Sequence, residues 1–168
     1  MTEPLDDDQI ETYLALLEIV GQLRFRLESH LRDRSTLTFV QFEILGRLMR
    51  TPGGRLRMTD LADELAASRS GLTYQVRSLA RDGLVERLPS VDDERTTLVA
   101  LTDAGRRTFA SLLPGHMEIA SSLLFDAMSP NQARTFGRLA RTVRRHIRAL
   151  PPRSAQPRAT GGGTALGG

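Results

Sequence analysis

The stretch TDLADELAASRSGLTYQVRSLARDGLVERLPSVDDERTTLVALT, residues 59–102, decides the fold. It reads as two short helices joined by a tight turn, then a strand, a charged loop and a second strand. In the first helix Leu61, Ala62 and Leu65 form a one-sided apolar set. Ser68 is placed to cap the second helix, since its hydroxyl can accept from the free N–H groups of the first turn. Leu72, Val76 and Leu79 follow at i, i+4, i+7, the spacing of one buried helical face. Gly83 comes just past the last turn, where a left-handed residue ends a helix.

The opposite face of the second helix carries Ser70, Thr73, Tyr74 and Arg77, again at i, i+3, i+4, i+7, with Ser68 and Arg69 at its start. Hydroxyls bond phosphates or base edges, and arginine bonds guanine in bidentate fashion, so such a face suits a DNA major groove. An ordinary solvated polar face has the same composition; the helix–turn–helix with a following hairpin is the context that favours DNA. Leu84–Leu88 and Thr96–Leu101 are short β-prone runs, and Pro89-Ser90-Val91-Asp92-Asp93-Glu94-Arg95 joins them as a polar wing. Arg95 is suited to a narrow minor groove, where negative potential is concentrated. Asp93, two residues earlier, can orient its guanidinium, although a surface Asp–Arg pair of little energetic weight fits the spacing equally.

These residues resemble the MarR (multiple antibiotic resistance regulator) family of winged-helix transcription factors. The resemblance runs through Leu37-Thr38-x-x-Gln41-x-x-Ile44-Leu45-x-x-Leu48, Leu61-Ala62, Thr73 and Leu79-x-x-x-Gly83-Leu84-Val85-x-Arg87. It ends in Asp93-Glu94-Arg95-x-x-x-Val99-x-Leu101-Thr102-x-x-Gly105. It covers roughly residues 37–107, and the wing running into Leu-Thr-x-x-Gly is its most specific part. The resemblance implies a homodimer on a pseudo-palindromic double-stranded DNA site, often near its own promoter, with release by a small ligand. It also implies a small strand at Arg55–Met58 pairing with the wing, and an effector, often a phenolic or other aromatic acid, between the dimerisation helices and the winged helix. Tyr13, Arg24, Phe39, Phe42 and Phe109 would line that cleft, and core packing accounts for most of them as well.

The whole chain of 168 residues has 40% hydrophobic residues, enough for a packed core. No apolar run approaches bilayer length and no leader resembles a signal peptide, so a cytoplasmic protein with no membrane partner is expected. Cysteine is absent, which excludes a thiol switch. His30, His116 and His146 stand far apart and read as ordinary helix residues rather than metal ligands. No nucleophile–base pair or paired carboxylates converge, so neither an enzyme nor a cofactor is expected. A winged helix serving only as a protein-interaction module is the alternative, and the polar face of the second helix together with Arg95 argues for DNA instead.

Charge is uneven. All 23 basic residues are arginine. Glu3, Asp6, Asp7, Asp8, Glu11 and Glu18 precede the first of them, Arg24, while no acid follows Asp126 and eight arginines do. Residues 55–107 balance at nine arginines against nine acids, which predicts modest non-specific DNA affinity and dependence on a correct site.

The flanks complete a mostly α fold with a small β-hairpin wing, the winged helix-turn-helix lying between N- and C-terminal dimerisation helices. Residues 1–34 hold the first of these, with Ile10, Tyr13, Leu17, Val20, Leu27 and Leu31 stepping by three and four to about His30, before Arg32-Asp33-Arg34-Ser35 breaks the pattern. Arg24 falls on that seam, as a snorkelling surface residue, a buried ion-pair partner or part of a ligand pocket. Residues 35–107 form the DNA-binding domain, opened by a Thr38/Gln41 capping box. Residues 108–150 give the last helices, with a kink or break expected at Pro114-Gly115 and a fresh helix start at Ser129-Pro130-Asn131-Gln132. There Phe136, Leu139, Val143, Ile147 and Leu150 form one stripe, with arginines over the rest. The acids Asp6–Glu11 are expected to lie against Arg138–Arg148, within a subunit or across the dimer. Residues 151–168, rich in Pro, Gly, Ala and Thr, read as a disordered tail.

Overall fold

The computed structural model describes residues 4–65, 67–89 and 97–150. Its elements are α1 (Asp7–Arg34), α2 (Phe39–Arg50), a 3-10 turn (Pro52–Gly54), β1 (Arg55–Arg57), α3 (Met58–Glu64), α4 (Arg69–Arg81), β2 (Val85–Pro89), β3 (Thr97–Leu101), α5 (Asp103–Leu124) and α6 (Pro130–Ala149). The wing residues Asp93 and Arg95, and the tail 151–168, lie outside the described residues.

Local chemistry sets the helix ends. Asp6, Thr38 and Ser129 each accept from the backbone N–H three residues on, and Gln9, Gln41 and Gln132 return the bond, giving three capping boxes. Gly83 closes α4 at φ 71°, as its place in the sequence requires. The three strands form one antiparallel sheet in the order β1-β3-β2, with Leu56 and Arg87 both opposite Val99. Arg55–Arg57 is therefore the small strand expected beside the wing.

One core unites α2, α3, α4, the sheet and the first half of α5. Ile44, Leu45, Leu48, Leu61, Leu72, Val76, Leu79, Val85 and Val99 are buried, with Phe42, Phe109 and Leu112 continuing the core toward α1 at Leu31. The Leu101-Thr102-x-x-Gly105 run has a physical cause at the joint between hairpin and α5. The Thr102 hydroxyl donates to the Gly83 carbonyl (2.8 Å) and accepts from Gly105 N–H (3.0 Å). A Cβ at Gly105 would collide with the Leu84 carbonyl oxygen, so only glycine lets α5 begin there.

The break expected as one alternative at Pro114-Gly115 is not made: α5 runs as one helix through Pro114. The proline ring faces solvent, and the turn before it is anchored by Phe109 and Leu112, so packing offsets the one lost backbone bond. α1 runs to Arg34, and Ser35 ends it by giving both its N–H and its hydroxyl to the Leu31 carbonyl. α1 packs on α5 and α2, whereas α6 buries none of its residues and has no substantial packing partner among the described elements.

These contacts predict that Leu79→Ala, by opening a cavity in the fully buried core, lowers unfolding free energy by roughly 2–5 kcal/mol. Gly105→Ala, forced against the Leu84 carbonyl, costs about 1–3 kcal/mol. Urea titration followed by circular dichroism checks both.

Candidate nucleic-acid interface

α4 is held from beneath and presents its other side to solvent. Leu72, Val76 and Leu79 are buried, while Ser68, Arg69, Ser70, Tyr74 and Arg77 are exposed and Thr73 half-buried. Tyr74 is 71% exposed, far above what an aromatic held by packing would show. The structure thus brings these six side chains together on one accessible face of one helix.

Each end of that face is fixed. The Ser68 hydroxyl accepts from Gly71 N–H (3.2 Å), which leaves the other free N–H groups of the first turn pointing outward, where a phosphate oxygen can accept from them. Thr73 donates its hydroxyl to the Arg69 carbonyl (2.7 Å), so toward a ligand it offers oxygen lone pairs and a methyl group rather than a donor. The Arg77 side chain makes no ion pair among the described residues. Its guanidinium is free to meet a base edge or a phosphate. Sequence reasoning did not single out Gln75, whose side-chain carbonyl accepts from the Thr38 hydroxyl (3.4 Å) and so ties α4 to the start of α2. Its place between the polar and apolar faces gave no signal. Strands β2 and β3 stay paired out to Pro89 and Thr97, so the segment between them springs from a fixed base.

The five residues assigned to a ligand cleft fall into two groups. Phe42 and Phe109 stack with centroids 4.8 Å apart and are buried, which makes them core. Phe39 is half-buried with the Arg24 guanidinium 5.5 Å from its ring centroid, a cation–π contact. Arg24 also bonds Glu28 at 2.7 Å, which settles it as a partly exposed ion-pair partner. Tyr13 sits three turns away along α1 and is 53% exposed.

Between these aromatics lies a feature that sequence reading treated as ordinary. His116 on α5 packs in a tilted arrangement against Phe42 at 4.5 Å and is stacked with Phe39 at 6.4 Å, centroid to centroid. His30 on α1 packs directly on Gly115, where even a Cβ would not fit. His30 Nε2 and His116 Nδ1 are both buried without a hydrogen-bond partner among the described residues. Burial, and secondarily the neighbouring His30, hold His116 below the usual imidazole value. Glu43, facing the same pocket from α2, is pushed up by burial against the opposing pull of Arg47, Arg24 and Arg50. Beside the histidines a groove of about 450 Å³ runs between α1 and α5, lined by Phe25, His30, Asp33, Ile119 and Leu123 among others. The two histidines are 86 positions apart, and only the α1–α5 packing makes them neighbours.

Two helices crossing over one core, the second presenting a polar face, with a strand hairpin behind them, define a winged helix-turn-helix protein. A model of the MarR family matches residues 35–96. The chain is 29% identical to the HTH-type transcriptional repressor YetL of Bacillus subtilis, over 71% of each chain. It is 34% identical to the transcriptional activatory protein BadR of Rhodopseudomonas palustris, over 58% of this chain and 62% of that one. The structure superposes on Sco3205, a MarR family transcriptional regulator from Streptomyces coelicolor solved in complex with DNA. That match has a TM-score of 0.79 and 28% identity, covering 93% of this chain and 96% of that one. The matching family model, these relatives and the superposed structure together support a DNA-binding transcriptional regulator of the MarR type rather than an enzyme. No helix among the described residues is long and apolar enough to cross a membrane.

The histidine pair generates a pH prediction. A lowered imidazole value in the folded chain means the unfolded chain takes up protons first on acidification, so stability contributed by neutral His116 is lost as pH falls below about 6.5. Glu43 has the opposite sign, its raised value favouring the folded chain as pH falls toward the carboxylate range. Thermal melts at pH 7.5 and 5.5 are expected to show a drop that His116→Phe reduces and Glu43→Gln leaves in place.

Proposed function

We propose that this chain is a repressor that binds a pseudo-palindromic operator as a homodimer, reading DNA with Ser68, Arg69, Ser70, Thr73, Tyr74 and Arg77 in the major groove. The exposed polar face of α4, opposed to its fully buried apolar face, carries this reading. Residues 35–107 act as the reading domain, and residues 1–34 and 108–150 as the dimerisation helices. Two copies related by a two-fold axis set two α4 helices about 34–36 Å apart, one turn of DNA. Arg95, with Asp93 orienting it, enters the minor groove from the segment between β2 and β3. Nine arginines balanced by nine acids in residues 55–107 leave little sequence-independent attraction, so affinity rests on the correct site.

The homodimer reading is supported by apolar side chains that the single subunit leaves uncovered. Ile10, Tyr13, Leu17 and Val20 on α1, and Leu139, Val143 and Ile147 on α6, are each 42–59% exposed. Release by a small aromatic acid is the accompanying proposal. Arg24 above Phe39 offers a carboxylate partner beside a ring, next to the histidine-lined groove between α1 and α5, and Tyr13 approaches only from its exposed place on α1. A transcriptional activator built on the same fold is the second reading, since one relative bears that description.

Fluorescence anisotropy with the duplex upstream of the protein's own coding region, against an unrelated duplex at equal salt, tests the regulator reading. Arg77→Ala and Arg95→Ala are each expected to weaken specific binding about tenfold, in line with 1–3 kcal/mol for a base-contacting arginine. Equal binding of both duplexes by wild type, repeated with sites selected from random DNA, would overturn it. A promoter–reporter pair separates repression from activation.

A further inference from the structure

Within the subunit the N-terminal acids and the C-terminal arginines form no ion pair with one another among the described residues, and α6 buries none of its side chains. The contact expected between these ends is therefore not made within one chain. Both helices nonetheless carry long uncovered apolar stripes, and the charges are arranged relative to those stripes in a particular way.

With ~100° between successive helical residues, Ile10, Tyr13, Leu17 and Val20 form the seam of α1, and Asp7, Glu11 and Glu18 stand ~100–140° round from it on one side. On α6 the seam is Phe136, Leu139, Val143 and Ile147, and Arg144 and Arg148 stand ~100–140° round in the same rotational sense. When two helices pack antiparallel seam to seam, flanks of the same sense face one another. Acid flank then meets arginine flank. The spacing agrees as well. Setting Ile10 beside Ile147 brings Tyr13 beside Val143, Leu17 beside Leu139 and Val20 beside Phe136, and it sets Asp7 next to Arg148 and Glu11 next to Arg144. Parallel packing would place the arginine flank away from the acids.

We propose that α1 of one copy and α6 of a second copy form this antiparallel pair, clamped by Asp7–Arg148 and Glu11–Arg144 twice in the symmetric dimer. The inference rests on the homodimer reading and gives it a register. It also assigns Arg144 and Arg148 to assembly rather than to DNA phosphate. The flanking positions suit arginine, whose stem lies along apolar surface while the guanidinium reaches round to a carboxylate. Such pairs lie at the rim of an apolar contact, so their effect is read best at low salt.

A charge exchange tests the contact. Asp7→Arg/Glu11→Arg and Arg144→Glu/Arg148→Glu are prepared as two full-length variants, and dimer dissociation is followed by sedimentation equilibrium at low salt. Each variant alone repels itself at both clamps, with the dimer Kd expected to rise at least about tenfold. Mixing the two restores opposite charges at both clamps, so a heterodimer within about threefold of wild type is expected. At 1 M salt, where screening acts over about 3 Å, the differences should collapse. A mixture no tighter than either variant alone overturns the clamp, as does an Arg144→Glu/Arg148→Glu chain that dimerises normally and loses only DNA affinity. Should a reversed chain fail to fold, Asp7→Asn/Glu11→Gln replaces it; its dimer Kd must lose salt dependence relative to wild type, and an unchanged dependence overturns the proposal. Wild type that stays monomeric overturns the dimer reading, and the clamp with it. A clamped dimer that ignores every duplex overturns only the regulator reading.

Discussion

The burial of Leu72, Val76 and Leu79 on one side of α4 is the constraint on which the rest depends. Three fully covered side chains within two turns fix the rotation of the helix about its own axis, and the opposite side is then committed to solvent. Nothing else orients Tyr74 and Arg77. The Thr38–Gln75 bond and the Ser68 cap refine the position of α4 but do not choose which face looks outward. The solvent-facing side of α4 is thus a by-product of core packing, in the sense that it is whatever the core does not take.

How much of this is legible in sequence depends on how local the cause is. Capping boxes at Thr38 and Ser129, the left-handed Gly83 and the buried stripe of α4 all arise from residues within a turn or two of one another, and periodicity finds them. The Leu-Thr-x-x-Gly run was recognisable as a pattern before its cause was visible, since the close approach of Gly105 to Leu84 joins segments twenty-one residues apart. Pro114 misled for the opposite reason. Its local cost is real, but the burial of Phe109 and Leu112 in the turn just before it keeps the helix continuous. His30 and His116 were beyond reach, because each looks ordinary alone and their meeting depends on how two long helices cross. The polar face of α4 was found by spacing, whereas its solvent exposure needed the structure.

The molecule divides its charge between two tasks. Around α4 acids and arginines cancel, so binding must come from geometry at a matching site. At the two ends they are segregated by sign, and among the described residues no ion pair joins those ends within a subunit. All the cations are arginine, whose charge does not titrate near neutrality. Among the described residues, the groups whose protonation the fold shifts are His116, held low by burial, and Glu43, held high by burial.

Thr102 gives the assembly a mechanical character. Its hydroxyl is bonded at once to the turn that ends α4 and to the first turn of α5, and α5 in turn starts in contact with the base of the hairpin. The end of α4, the base of the hairpin and the head of α5 are therefore tied into one block. In the proposed homodimer, a disturbance along α5 would reach α4 as a tilt of that block, like the jaw of a caliper, and would change the spacing of the two α4 helices against a duplex that repeats every 34 Å or so.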